Sequence, residues 1–311
     1  MNRQPNRIPS DHGSRITAHL FNATARALVI ALCALTISGC SLLRVGYGQF
    51  DTYAAWTADR YFDLDAGQRQ EFLRRFDRLH AWHRYEQLPD YVAFLGEART
   101  RVQKGLARED VAWVTEGAKA RYRAIVRRMA DDAAAMLMTV TPAQLEALQR
   151  RWDRDNDRFV RQYRLEDGLE EQRQARVERL LSRIQDWTGS LSAEQESKIA
   201  AMAKELPLIH GLRHEDRLRR QREFLELMAR RKDSRRFAGE LRNWLLNWEK
   251  GRDPKYHKLF NEWEQKQADL YVAVDRMLTP QQRAATLTRL QGYMDDFTRL
   301  AERPAPQAAG R

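Results

Sequence analysis

One phrase occurs four times in this 311-residue chain: LDAGQ from Leu64, VTPAQ from Val140, LSAEQ from Leu191 and LTPQQ from Leu278. Each places an apolar residue before Asp, Thr or Ser, and a glutamine three positions after that polar residue. The oxygens of Asp65, Thr141, Ser192 and Thr279 suit the free amides of a first helical turn, and the glutamines can reach back to the cap's own N–H. Pro142 and Pro280 stand at the first helical position, where the missing N–H costs nothing. The phrases therefore mark four helix starts. Their spacings of 76, 51 and 87 residues are unequal, so they do not mark a repeated domain.

Between these starts run long stretches of Glu, Gln, Arg, Leu and Ala, which favour helix, while alternating strand patterns are scarce. Apolar stripes recur at helical spacing: Leu145, Leu148, Trp152 and Phe159; Leu180, Ile184 and Trp187; Phe224, Leu227 and Met228; Leu241, Trp244, Leu245 and Trp248. Such stripes are core faces of antiparallel helices. The pattern predicts helices over 49–61, 66–86, 89–103, 109–138, 142–164, 167–187, 193–204, 206–231, 234–249, 255–276 and 280–300. The expected fold is all-α, an elongated or multi-helical antiparallel bundle of about ten helices. A single helical domain is expected over 49–302, with 188–191 as the place where it would subdivide and 303–311 as a tail. Hydrophobic residues at 43%, with eight tryptophans, supply a core despite 31% charged residues and a net charge of +11.

The N-terminus carries a different message. The apolar run Ala27 to Ile37 is about half the roughly 20 residues that a membrane-spanning helix needs. Arg15 and Arg26 precede it and small residues follow, the layout of a secretory signal over 1–39 behind a long polar leader. Cys33 falls inside that signal, leaving Cys40 alone and no intramolecular disulfide in the processed chain. The segment Ile37, Ser38, Gly39, Cys40 resembles the lipobox of bacterial lipoproteins. That resemblance implies cleavage between Gly39 and Cys40, diacylglycerol and palmitate at Cys40, and a membrane-proximal segment over 40–48. Ser41, in place of an aspartate, implies the periplasmic leaflet of the outer membrane. Each buried methylene contributes about 0.8 kcal/mol, so a multiply acylated terminus holds a soluble body firmly.

Several stretches invite a chemical reading. In RLHAWHRYEQLPDY, His80 and His83 lie one turn apart beside Trp82, Tyr85 and Glu86. Two histidines and an acid could ligate a transition metal, but neither an HExxH arrangement nor a further ligand completes the set. His210 and His214, next to Glu215, form a second pair with the same shortfall. The competing reading is hydrogen bonding or ion pairing between helices, or an interaction motif, so no metal or cofactor is assigned. Asp153, Asp155 and Asp157 start like a calcium loop, but Arg158 and Arg164 occupy the positions of its glycine and its bidentate glutamate. That segment reads instead as a solvated helix face. No phosphate-cradling glycine loop and no GxSxG elbow occurs, so no catalytic residue is assigned. Arg219, Arg220, Arg222, Arg230, Arg231, Lys232, Arg235 and Arg236 crowd one stretch and would suit an anionic lipid surface. Secretion argues against nucleic acid as a partner.

Together the lipobox, SLLRVGYGQF, WTADRYFDLDAGQ and LHAWHRYEQLPDY resemble an uncharacterised family of Gram-negative lipoproteins, known only as a domain of unknown function, over roughly Cys40 to Leu300. The resemblance implies a helical, lipid-anchored envelope protein without an established reaction, and transfers no catalytic role to His80, Trp82 or His83. LTPQQ is also similar to the LTxxQ motif of periplasmic proteins of the Spy and CpxP type, with VTPAQ and LSAEQ as looser matches. That likeness implies capture of unfolded or envelope client proteins. The expected function is nonenzymatic, in protein interaction or envelope maintenance, with chaperone-like client binding as one alternative and metal-assisted chemistry as another. A concave apolar face rimmed by arginine favours client binding; convergence of the two histidine pairs with a carboxylate favours metal.

Overall fold

A computed structural model describes residues 42–302. The described residues form α-helices α1 (Leu42–Gly48), α2 (Phe50–Phe62) and α3 (Ala66–Trp82), a π-helical turn (His83–Gln87), then α4 (Leu88–Lys104), α5 (Arg108–Met138) and α6 (Pro142–Tyr163). There follow α7 (Leu169–Thr188), α8 (Ala193–Lys204), α9 (His210–Ala229), α10 (Ser234–Leu246), α11 (Pro254–Met277) and α12 (Pro280–Ala301). No strand occurs among them, and no described helix is long and apolar enough to cross a membrane. The all-α bundle is as the hydrophobic periodicity requires. Helix α1 belongs to an N-terminal unit ending at Phe50, and the bundle proper is the compact unit that begins at Asp51.

Most helix boundaries fall within two residues of the expected ones, and the departures have local causes. Helix α9 starts at His210 and not at 206, because Pro207 disfavours helical backbone at Leu206. Leu206 and Ile209 are instead buried in the connection. Helix α10 stops at Leu246, where the Asn247 side chain turns back to donate to the Asn243 carbonyl at 3.1 Å. At Pro89 the sequence suggests a break, yet α3 and α4 run on through the π turn. There the Leu88 N–H donates to the His83 carbonyl five residues back. The widened ladder precedes a proline that has no N–H to give, so the rod continues without a steric clash.

All four expected capping boxes form. Gln68 N donates to Asp65 Oδ1 at 2.8 Å, with the corresponding bonds at 3.3 Å to Thr141, 3.2 Å to Ser192 and 3.2 Å to Thr279. The four helix starts also meet in pairs, α3 against α6 and α8 against α12, through their box glutamines.

Long α5 packs against α3, α4, α10 and α11, while α12 lies along α4 and α7 pairs with α8. Ala130 and Ala134 keep the α5 face thin enough for close approach. One core cluster joins Ala134, Leu148, Phe224, Met228, Phe237 and Leu241 across α5, α6, α9 and α10. A second joins Val177, Leu180, Ile184, Ile199, Leu270 and Val274 across α7, α8 and α11. Two buried charged groups are paired between elements. Arg176 on α7 donates to the carbonyls of Leu206 at 2.6 Å, Pro207 at 3.0 Å and Lys204 at 3.2 Å, satisfying the last residue of α8 and the connection that follows it. Burial lowers its pKa to about 10. Asp275, 4% exposed, takes Arg283 Nη1 at 2.8 Å and Nη2 at 3.2 Å, plus the Leu106 N–H at 2.9 Å.

Candidate functional site

Helices α2, α3, α5, α9 and α10 line an open cavity of about 460 Å³ against the first core cluster. One wall is the stripe Phe72, Phe76 and Leu79 on α3, spaced four and three residues apart so that all share a face. Facing it, α5 contributes Met129, Ala133, Met136 and Leu137. Ala58 and Phe62 of α2 close one side; Trp244 and Leu245 of α10 close another, with Phe224 of α9 between. Two lining residues only, Arg75 and Asp132, carry charge, and they neutralise each other: Arg75 Nη1 lies 2.6 Å from Asp132 Oδ1. Arg78, half exposed, adds a second guanidinium 2.9 Å from the same carboxylate oxygen. The indole N–H of Trp244 is used elsewhere, donating to Glu223 Oε2 at 3.1 Å. This is a concave apolar surface with arginine at its edge.

Of the histidines singled out from sequence, His80 adjoins this cavity and the others contact aromatic rings elsewhere in the bundle. His80 stacks on the cavity residue Phe76 with ring centroids 5.8 Å apart. His83 meets Tyr91 edge-on at 5.4 Å, and Tyr91 in turn meets Phe297 of α12 at 6.0 Å. Burial lowers the pKa of both histidines, with Arg84 adding to the effect at His80 and His80 at His83. Beside them Arg84 Nε donates to the Leu300 carbonyl at 2.5 Å, near the end of α12, and its guanidinium lies 5.5 Å from the Tyr85 ring. Trp82 is half-buried and Glu86 exposed on the same turn. His210 stacks on Tyr163 at 4.0 Å and His214 on Phe159 at 5.7 Å, so the second pair serves the α6–α9 contact. Among the described residues no group of three or more His, Cys, Asp or Glu side chains is placed to hold a metal ion.

The basic stretch divides by role. Arg219 reaches Asp216 at 2.7 Å and Glu223 at 2.5 Å, and also donates to the Lys250 carbonyl at 2.9 Å. Arg220 lies 3.7 Å from the Trp244 ring and donates to the Trp244 carbonyl at 2.9 Å, which braces that cavity-lining residue. Arg231 ties α9 to the α5–α6 turn through the Val140 carbonyl at 2.6 Å, and Arg236 pairs with Glu240 at 2.8 Å. Arg222, Arg230, Lys232 and Arg235 are exposed.

The aspartate-rich segment corrects one expectation. It is helical, but only part of it is a solvated face: Asp155 and Asn156 are buried. Tyr61 Oη donates to Asp155 Oδ2 at 2.6 Å, and Asn156 and Gln221 exchange amide bonds at 3.0 and 3.2 Å. The same side chains that look solvated in a list of charges are a polar joint between α2, α6 and α9. The cavity has a signal legible in the sequence, the Phe72, Phe76, Leu79 stripe interrupted by Arg75. Gly39 and Cys40, with the whole expected signal, lie outside the described residues, as does the tail from 303.

The profile of a family of unknown function (DUF6279) matches residues 60–257. The chain belongs to that family. No curated protein and no solved structure matches it. The DUF6279 region takes in α3, α5, α9 and α10 whole, and so most of the cavity wall, together with the Gln68–Gln144 joint. Gln282 and α12 lie beyond it.

Proposed function

We propose that this DUF6279 protein is a nonenzymatic envelope lipoprotein, held at the periplasmic leaflet of the outer membrane by acylated Cys40, whose helical body binds an apolar guest noncovalently. The anchor rests on the basic, apolar and small-residue layout before Cys40. The binding role is carried by one observation: a cavity of about 460 Å³ whose two charged lining residues pair with each other, leaving carbon to face the interior. Such a surface, open to a guest, is where binding energy from apolar burial is available. Client capture in the manner of an envelope chaperone and lipid handling both draw on that chemistry. Exposed Arg222, Arg230, Lys232 and Arg235 would hold the body near anionic headgroups, and nucleic acid has no part in this reading.

The anchor is tested by labelling cells with radioactive palmitate: the chain takes up label and floats with membranes, and Cys40→Ala does neither. The binding role is tested by a naphthylamine dye that brightens in apolar surroundings. The protein brightens it saturably, and Ala133→Trp, which fills the cavity from α5, removes that signal while circular dichroism stays helical. Dye binding unchanged by both Ala133→Trp and Leu79→Trp would defeat the binding role.

A further inference from the structure

The geometry points to a particular guest for this cavity, a long-chain fatty acid with its tail inside and its carboxylate at Arg78. The inference rests on the apolar-guest reading above and names its chemistry. A peptide segment brings N–H and C=O groups that need partners when they leave water. Of the side chains lining the cavity, charged Arg75 and Asp132 are already engaged with each other at 2.6 Å, and the Trp244 N–H with Glu223 at 3.1 Å. A hydrocarbon tail brings no such groups and leaves nothing unsatisfied. Size agrees: a dry cavity of ~150 Å³ admits benzene, about 25 Å³ per carbon, so about 460 Å³ has room for roughly eighteen carbons.

The edge supplies a head-group contact. Arg74, Arg75 and Arg78 stand along one side of α3 against Glu71 and Asp132, so the guanidiniums outnumber the carboxylates they bond. Arg78 is the more exposed of the two arginines that reach Asp132. It has donors to spare for a second carboxylate, since a guanidinium carries five N–H groups in a fixed fork.

The full chain carrying Cys40→Ser, so that no tail of its own competes, is titrated with saturated fatty acids of about 8 to about 20 carbons against the bound naphthylamine dye. The expected Kd falls about fourfold per added methylene. It levels off near eighteen carbons, when the cavity is full. Arg78→Gln weakens the fatty acid several-fold and leaves the matching fatty alcohol unchanged, a comparison that loss of folding would not produce. Dye displaced by an apolar peptide but not by fatty acids, or with no dependence on chain length, overturns the fatty acid while the apolar-guest reading stands. Failure of the dye to bind at all overturns both. Fatty-acid binding by Cys40→Ser but not by the acylated chain would make the protein's own tail the occupant, and would also overturn the proposal.

Discussion

Gln68 and Gln144 hold each other by both ends of their amides: Gln68 Nε2 donates to Gln144 Oε1 at 3.1 Å, and Gln144 Nε2 returns the bond to Gln68 Oε1 at 2.6 Å. Each oxygen also takes its own cap's N–H, and each nitrogen also reaches the carbonyl two residues before the partner's cap, Thr139 or Asp63, at 2.9 Å. Gln195 and Gln282 repeat the arrangement at 2.9 and 3.0 Å, with Met277 and Ser190 supplying the two carbonyls. The helix-start phrase is therefore also a helix-joining phrase. A glutamine in it closes its own box and locks a second helix start.

That closure makes the first joint sensitive to loss of either half. Both side chains are buried, so Gln68→Ala or Gln144→Ala strands polar groups of the other and is expected to cost about 2 kcal/mol. The double variant is expected to cost less than the sum, because the second change removes a group already left without its partner. Urea unfolding of the four proteins measures this. Strict additivity would show that the reciprocal bond contributes nothing.

The Asp275–Arg283 pair gives a different expectation. Asp275 is almost wholly buried and receives two guanidinium bonds and one backbone bond. Removing the carboxylate's charge leaves the partly exposed Arg283 without its counter-charge, so Asp275→Asn is expected to destabilise by about 2 kcal/mol. Arg283→Lys should fail to preserve stability, since an ammonium cannot reproduce the fork that also reaches the carbonyls of Val102 and Asp275. Thermal melts that place Arg283→Lys at the wild-type midpoint would contradict this.

At Gly117 propensity and packing predict opposite signs. Alanine within a helix normally gains about 1 kcal/mol over glycine. Here a Cβ would clash with the Phe94 ring at Cε2 and Cζ. That ring cannot move aside easily, being stacked on Trp113 at 4.6 Å and covered by Arg121 at 3.9 Å. Gly117→Ala is expected to lose about 1–3 kcal/mol by overpacking. A stabilised variant in denaturant titration would mean the ring yields.

What could be read from the sequence follows the range of the interactions. Capping boxes and apolar stripes act within a few residues, so the helix starts at Asp65, Thr141, Ser192 and Thr279 and the all-α class were legible. The pairing of Gln68 with Gln144 spans 76 residues, and nothing local distinguishes a glutamine that joins two helices from one that only closes its box. Asp155 and Asn156 look solvated in the sequence for the same reason. Their partners Tyr61 and Gln221 lie on other helices, and burial of a polar residue shows only when those helices are packed. The cavity lies between the two cases: the Phe72, Phe76, Leu79 stripe could be seen, but whether a stripe is filled or left open is decided by four other helices.

His210 converts burial into pH dependence. Desolvation first, and then the nearby Arg213, Arg179, Arg176 and Arg183, lower its pKa to about 3, whereas in the unfolded chain it titrates near its ordinary value of about 6.5. Between these values the unfolded state binds a proton that the folded state refuses, so stability rises with pH there. The contribution is complete above about pH 6.5 and is lost as the pH falls toward 3. His210→Phe keeps a ring against Tyr163, whose centroid lies 4.0 Å away, and removes the titration. Between about pH 7 and about pH 4 the wild type is expected to lose about 3 kcal/mol more than this variant. Comparing the two removes the carboxylates common to both from the difference. Equal losses in urea titrations across that range would mean that His210 accepts its proton without unfolding, and that the Tyr163 stack opens to water.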